Sequence, residues 1–143
     1  LIPKCYLSEK SDALNSCQQF NAEIQFKKAM VFLIDDDKSV RRGFGIFLKS
    51  AGLEFQSYES ADAFTSSVNP DVEDTIILDL NLPGTSGCDF LKGFRAKNTD
   101  TVVIVVTAFD EPQTRQLCSE YGVKAYLRKP VDGELLIDLI NLK

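Results

Sequence analysis

From residue 31 onward, short apolar runs alternate with stretches in which hydrophobic positions recur three or four residues apart. Val31-Phe32-Leu33-Ile34 reads as a strand running into Asp35-Asp36-Asp37. A strand covered on both faces is a continuous apolar run rather than an alternation. Val40, Phe44, Phe47, Leu48 and Ala51 then fall at helical spacing, and Gly52 is placed to close that helix. Residues 53–58 predict a second strand, and Ser60 an N-cap for a short helix ending before Asn69-Pro70. Thr75-Ile76-Ile77-Leu78-Asp79 is the third strand, followed by a loop through Gly87 and a helix carrying Phe90, Leu91 and Phe94. Residues 101–107 are the most apolar and β-branched of all, which predicts a central strand. Glu111-Pro112 opens a helix with proline in its first turn; Thr114, Leu117, Cys118 and Tyr121 share one face and Gly122 stops it. Residues 124–127 form the fifth strand, leading into Lys129-Pro130, and Leu135, Leu136, Leu139 and Ile140 mark the last helix.

Five strands alternating with five helices predict an α/β fold, a doubly wound five-stranded parallel sheet with right-handed crossovers and both faces covered. Ligands of such sheets bind outside the carboxyl ends of the strands. Asp35 and Asp36, Asp79, Thr107 and Lys129 all follow or end strands on that edge. Residues 1–29 do not fit the repeat and form an N-terminal extension or linker, with the domain itself over 30–143. Leu14, Cys17, Phe20 and Ile24 suit one helical face, while residues 23–29 could instead lengthen the first strand. The chain opens on Leu1, and its only methionine, Met30, stands directly before the first strand as a candidate start.

With 143 residues, 44% of them hydrophobic and 26% charged, the chain is one globular domain whose core needs no staples. No apolar run nears the roughly 20 residues of a membrane span, and no signal peptide is visible. A net charge of −5 argues against a nucleic-acid footprint on this segment. The absence of histidine removes Ser-His-Asp and Cys-His catalysis, His-ligated zinc and any phosphohistidine donor role. The four cysteines have no CxxC pair, and Cys88 and Cys118 read as buried free thiols on apolar helical faces. These features together set the expectation of a cytoplasmic protein.

Three carboxylates on one sheet edge repel each other, so either one protonates or a divalent cation neutralises them. Ligation by oxygen alone suits Mg²⁺. A carboxylate beside it stays ionised and can attack phosphorus, and the developing charge then needs a cation and a hydrogen-bond donor. Lys129 and Thr107 are the candidates. Each piece alone is weak, since acidic turns and strand-end aspartates are commonly solvated or capping groups. Their joint placement carries the signal. Nucleotide binding has little support: there is no GxxxxGK[ST] loop, and Gly43-Phe44-Gly45 lies inside a helix.

The stretches Leu33-Ile34-Asp35-Asp36-Asp37, Ile76-Ile77-Leu78-Asp79-Leu80-Asn81-Leu82-Pro83-Gly84, Val105-Val106-Thr107-Ala108 and Tyr126-Leu127-Arg128-Lys129-Pro130 resemble the receiver (CheY-like) domain of two-component response regulators over residues 30–143. The opening stretch is most similar to receivers that precede helix-turn-helix transcription factors. The resemblance implies a (βα)5 flavodoxin-like fold and a phosphorylation-dependent signalling switch, not an enzyme beyond its own phosphorylation and dephosphorylation. It implies that Asp79 is the phosphoacceptor for a histidine kinase or phosphotransfer protein. Mg²⁺ would be held by Asp36 directly, Asp35 largely through water, Asp79 and the main-chain carbonyl of Asn81. Lys129 would pair with a phosphoryl oxygen beside a cis bond to Pro130, Thr107 would move to the phosphoryl group, and Tyr126 would turn inward. The surface of the fourth helix, fifth strand and fifth helix would then meet an effector domain or homodimer partner. Tyr126 has an equal alternative as a core aromatic with its hydroxyl at the surface. Arg41 and Arg42 can touch a kinase in receivers, but a solvated helix face is the favoured reading.

Two rivals remain. A phosphorylation-independent pseudo-receiver usually lacks one of the acids, the threonine or the lysine, and all are present here. A Mg²⁺-dependent aspartyl-phosphate phosphatase resembling the haloacid dehalogenases needs an acid two residues after its nucleophile, where this chain has Asn81.

Overall fold

The computed structural model describes residues 28–98 and 100–142. The elements run in order β1 (Met30–Ile34), α1 (Lys38–Ser50), β2 (Glu54–Tyr58), α2 (Ala61–Ser67), β3 (Thr75–Leu78), α3 (Gly87–Lys97), β4 (Val102–Thr107), α4 (Pro112–Glu120), β5 (Ala125–Arg128) and α5 (Gly133–Asn141). All neighbours pair in parallel, in the order β2-β1-β3-β4-β5. This is the predicted doubly wound five-stranded sheet. The extension, with its alternative helical and strand readings and with Cys5 and Cys17, lies outside the described residues up to position 27; β1 begins at Met30. Among the described residues, no helix is long and apolar enough to cross a membrane.

Period-two alternation sends successive residues of each inner strand to opposite layers. Phe32 and Ile34 of β1, Ile76 and Leu78 of β3, and Val103 and Val105 of β4 join Phe64, Phe90, Leu91, Phe94 and Cys118 on the face covered by α2, α3 and α4. Val31, Leu33, Ile77, Ile104 and Val106 join Leu48, Leu136 and Ile140 on the face covered by α1 and α5. Each fully buried side chain of this size contributes about 1.5–3 kcal/mol relative to exposure. On the first face the aromatic rings interlock: Phe64 lies edge-on to Phe32, Tyr58 and Phe90 at centroid distances of 5.4, 5.4 and 5.8 Å.

Element ends follow local hydrogen bonding. Asp37 caps α1 by accepting from the Ser39 and Val40 N–H groups, and Ser60 caps α2 by accepting from Ala63. Gly52, at φ +77°, ends α1, while the Leu53 N–H still bonds back to the Leu48 carbonyl at 3.0 Å. That is why β2 starts at Glu54, one residue later than the apolar pattern implies. β4 likewise starts at Val102, since the Thr101 carbonyl is held by Arg95 Nη1 at 2.7 Å. The Arg95 guanidinium also donates to the carbonyls of Tyr121 and Gly122, tying the end of α3 to the loop after α4. In α5, Leu136 and Ile140 are buried, whereas Leu135 is exposed.

Candidate functional site

β1 and β3 are adjacent, but β1 leads outward through α1 to β2 on one side, and β3 leads through α3 to β4 on the other. A crevice opens at such a reversal of strand order, beyond the carboxyl ends. Asp35 leaves β1 and Asp79 leaves β3 into that crevice, held in register by the Asp79 N–H donating to the Ile34 carbonyl at 3.0 Å. Carboxylate oxygens of Asp35, Asp36 and Asp79 lie within 4.8 Å of one another. Asp35 and Asp79 are buried, at 1% and 6% exposure, while Asp36 is exposed.

Lys129 reaches this cluster from beyond β5. Its N–H donates to the Thr107 carbonyl at 2.8 Å, and its peptide bond to Pro130 is cis. Its Nζ donates to Asp35 Oδ2 at 2.7 Å and to Asp79 Oδ2 at 3.1 Å. The other Asp79 oxygen accepts from the Asn81 N–H at 3.1 Å, so both oxygens of this carboxylate are oriented. Gly87, at the start of α3, is needed by close approach. A Cβ there would stand 2.5 Å from the Asp79 carbonyl oxygen and from the Leu80 Cα.

The charges explain how the groups hold their protons. Burial pushes the Asp79 carboxyl above its ordinary range, against the pull of the Asn81 N–H and Lys129, with Asp35 adding repulsion. Burial by itself would lower the Lys129 ammonium, but its hydrogen bonds to Asp35 and Asp79 and their negative charges carry it above the usual value. One ammonium does not neutralise three carboxylates. The surplus of negative charge on hard oxygen donors fits a divalent cation of the Mg²⁺ type.

Thr107 ends β4 and is buried at 2% exposure. Its Oγ1 accepts from the Phe109 N–H at 3.4 Å, and the Tyr126 hydroxyl donates to the carbonyl of that same Phe109 at 3.0 Å. Leu80, Asn81, Cys88, Thr107, Phe109 and Thr114 line a cavity of about 240 Å³ beside the acids. The Tyr126 ring packs against the first core face, with the Arg115 guanidinium 4.9 Å from its centroid and paired in turn with Asp110 at 2.7 Å. Tyr126 thus stands in this structure as an aromatic of the core edge with its hydroxyl at the surface, bonded to the loop after Thr107. Of the two thiols expected to be buried, Cys118 is; Cys88 is only half-buried, because it faces the cavity.

Asp35, Asp36, Asp79, Lys129 and Asn81 thus meet in the crevice, and Thr107 shares a cavity wall with Asn81. Arg41 departs from the solvated helix face expected for it. It is half-buried, and its Nη1 donates to the Asp35 carbonyl at 2.8 Å, while Arg42 is exposed. Neither the Arg41 bond nor the Arg115 stack follows a motif, and helical spacing alone cannot say that a long side chain curls back past the helix cap.

Residues 31–141 match the family described as response regulator receiver domain. The transcriptional regulatory protein FixJ of Azorhizobium caulinodans is 33% identical over 111 residues, covering 78% of this chain and 53% of that protein. A cyclic di-GMP phosphodiesterase of Thermotoga maritima is 36% identical over 107 residues, 74% of this chain and 28% of that protein. The chain spans about half the length of such relatives or less. In structure, a response regulator receiver protein from Pseudomonas putida superposes with a TM-score of 0.74 at 25% identity, covering 81% of this chain and 98% of that one.

Proposed function

Because the chain belongs to the family of response regulator receiver domains, we propose that it works as a phosphorylation-dependent switch whose acceptor is Asp79. The observation that carries this reading is Lys129 Nζ bridging Asp35 and Asp79 at 2.7 and 3.1 Å, which leaves an oriented, half-neutralised carboxylate at the mouth of the crevice. The donor is a histidine kinase or phosphotransfer protein, which supplies in trans the imidazole that this chain lacks. An oxygen of Asp79 attacks the phosphorus, the P–N bond breaks, and its electron pair returns to the donor imidazole, which takes up a proton. Lys129 and Thr107 then face the charge on the transferred group, the first as a cation and the second as a hydroxyl donor.

Asp36, Asp35, Asp79 and the main-chain carbonyl of Asn81 would hold Mg²⁺, Asp36 directly and Asp35 largely through water. The chemistry the ion would supply there is neutralisation of the crowded carboxylates and of the charge on the transferred group. The chain is a self-modifying acceptor rather than an enzyme with a separate substrate.

The bonds around Phe109 support a route from the site to the surface. At 3.4 Å the Phe109 N–H to Thr107 bond is long and cheap to give up. Once the Thr107 hydroxyl turns to the phosphoryl group, the Phe109 peptide is released. Tyr126, bonded to the Phe109 carbonyl, then follows, and with it the surface of α4, β5 and α5 that faces an effector domain or a second copy. Phosphorylation acts only insofar as the adduct favours that state over the resting one. Incubation with acetyl phosphate tests the reading by intact mass. One phosphoryl group should be gained in Mg²⁺ and none in EDTA, and equal gain in both would contradict it.

A further inference from the structure

We propose that Arg41 is a positioning residue for the divalent cation: by fixing the peptide between Asp35 and Asp36, it keeps the exposed Asp36 carboxylate aimed at its two buried neighbours. The inference deepens the metal-site reading above and rests on it.

Asp35 is tied at every polar group. Its N–H donates to the Tyr58 carbonyl at 3.1 Å. Its carboxylate accepts from the Asp37 N–H at 2.9 Å and from Lys129 at 2.7 Å. Its carbonyl accepts from Arg41 Nη1 at 2.8 Å. Asp36 is the opposite case: it is exposed, and among the described residues no donor reaches its carboxylate. Its placement within 4.8 Å of the other two acids, against their repulsion, therefore depends on the backbone that carries it. The Asp35 carbonyl belongs to the peptide that joins the two residues, so the Arg41 bond sets the plane from which Asp36 departs.

Helix formation does not require this bond. α1 has its own cap, with Asp37 Oδ1 accepting from Ser39 at 2.8 Å, and the Arg41 N–H makes the ordinary helical bond to the Asp37 carbonyl at 3.0 Å. The guanidinium reaches back past that cap to the strand end. A charge-assisted bond to a half-buried carbonyl is among the stronger single hydrogen bonds in a protein.

Simple electrostatics and positioning predict opposite signs. Removing a cation beside three carboxylates should by Coulomb's law tighten Mg²⁺ binding, whereas loosening the Asp35–Asp36 peptide should weaken it. Mg²⁺ alone, titrated by calorimetry into wild type, Arg41→Ala, Arg41→Lys and Arg42→Ala, separates the two. We expect a three- to tenfold weaker affinity in Arg41→Ala, recovery in Arg41→Lys, and an unchanged or tighter affinity in Arg42→Ala. In the metal-free Arg41→Ala protein, ¹⁵N relaxation should show new motion at Asp36 and Asp37, with the thermal melt staying cooperative. Unchanged or tighter binding in Arg41→Ala, or unaltered relaxation at Asp36, would overturn the proposal. An Arg41→Ala protein that does not fold would overturn it too, since the residue would then be structural. A wild-type protein that binds no Mg²⁺ would instead overturn the metal-site reading beneath it.

Discussion

Lys129 and Asp35 stand 94 positions apart in the chain, and Nζ of one lies 2.7 Å from Oδ2 of the other. That pair brings Lys129 from beyond β5 across to the crevice at the ends of β1 and β3, and Asp79 is the third party to it at 3.1 Å. The ammonium leaves the acids with excess negative charge, and from that excess the behaviour of the site follows.

Asp36 is the exposed member of the cluster, so its charge can be removed without opening the core. Asp36→Asn relieves like-charge repulsion and should raise metal-free stability by up to about 1 kcal/mol. In wild type, Mg²⁺ at ten times its Kd should add about 1.4 kcal/mol by mass action. Urea midpoints with and without Mg²⁺ check both. The variant should start higher and gain little.

Gly87 packs against the backbone of the acceptor. Gly87→Ala would drive a Cβ to 2.5 Å from the Asp79 carbonyl oxygen, displacing the strand end that aims the carboxylate. We expect a loss of about 1–3 kcal/mol, the usual cost of overpacking. Acetyl phosphate should also label the folded variant more slowly, measured as the initial rate of mass gain.

Phe64, 1% exposed, is the ring on which three others lean. Phe64→Ala should cost about 3–5 kcal/mol, against a total of about 5–15 for a domain. Phe109→Ala, at a side chain 65% exposed, should change stability by less than about 0.5 kcal/mol. Chemical denaturation of the two variants side by side measures the contrast.

Burial in the core pushes the Cys118 thiol up to about 11, with Cys88 adding to the shift. The unfolded thiol ionises near about 8.5. Below that value both states hold the proton and its contribution is fully present. As pH rises from about 8.5 towards 11 the unfolded chain ionises first, and stability falls by an amount on the order of 3 kcal/mol. Lysines titrate over the same range, so Cys118→Ala is the reference. Melting curves should show the wild-type advantage shrinking over that window and constant below pH 8.

The architecture was legible because strands buried on both faces announce themselves as unbroken apolar runs, and Val31, Ile76 and Val102 begin three of them. The acids and Lys129 were legible because strand ends in a parallel sheet share one edge, so position along the chain became position in space. Boundaries shifted by a residue where capping outranked pattern, as at Leu53. The bonds made by Arg41, Arg115 and the Phe109 peptide were not legible for a different reason. Their roles rest on where a flexible guanidinium or a loop carbonyl settles after folding, and residue spacing does not encode that. Leu135 shows the converse, an apolar position that the helical register turns outward.

Borohydride trapping after treatment with acetyl phosphate and Mg²⁺ tests the central claim most directly, since it reduces an aspartyl phosphate to homoserine at the modified position. Peptide mapping should find homoserine at position 79 alone, with none formed in EDTA or in Asp79→Asn. Homoserine at another aspartate, or an adduct that persists in Asp79→Asn, would contradict the account.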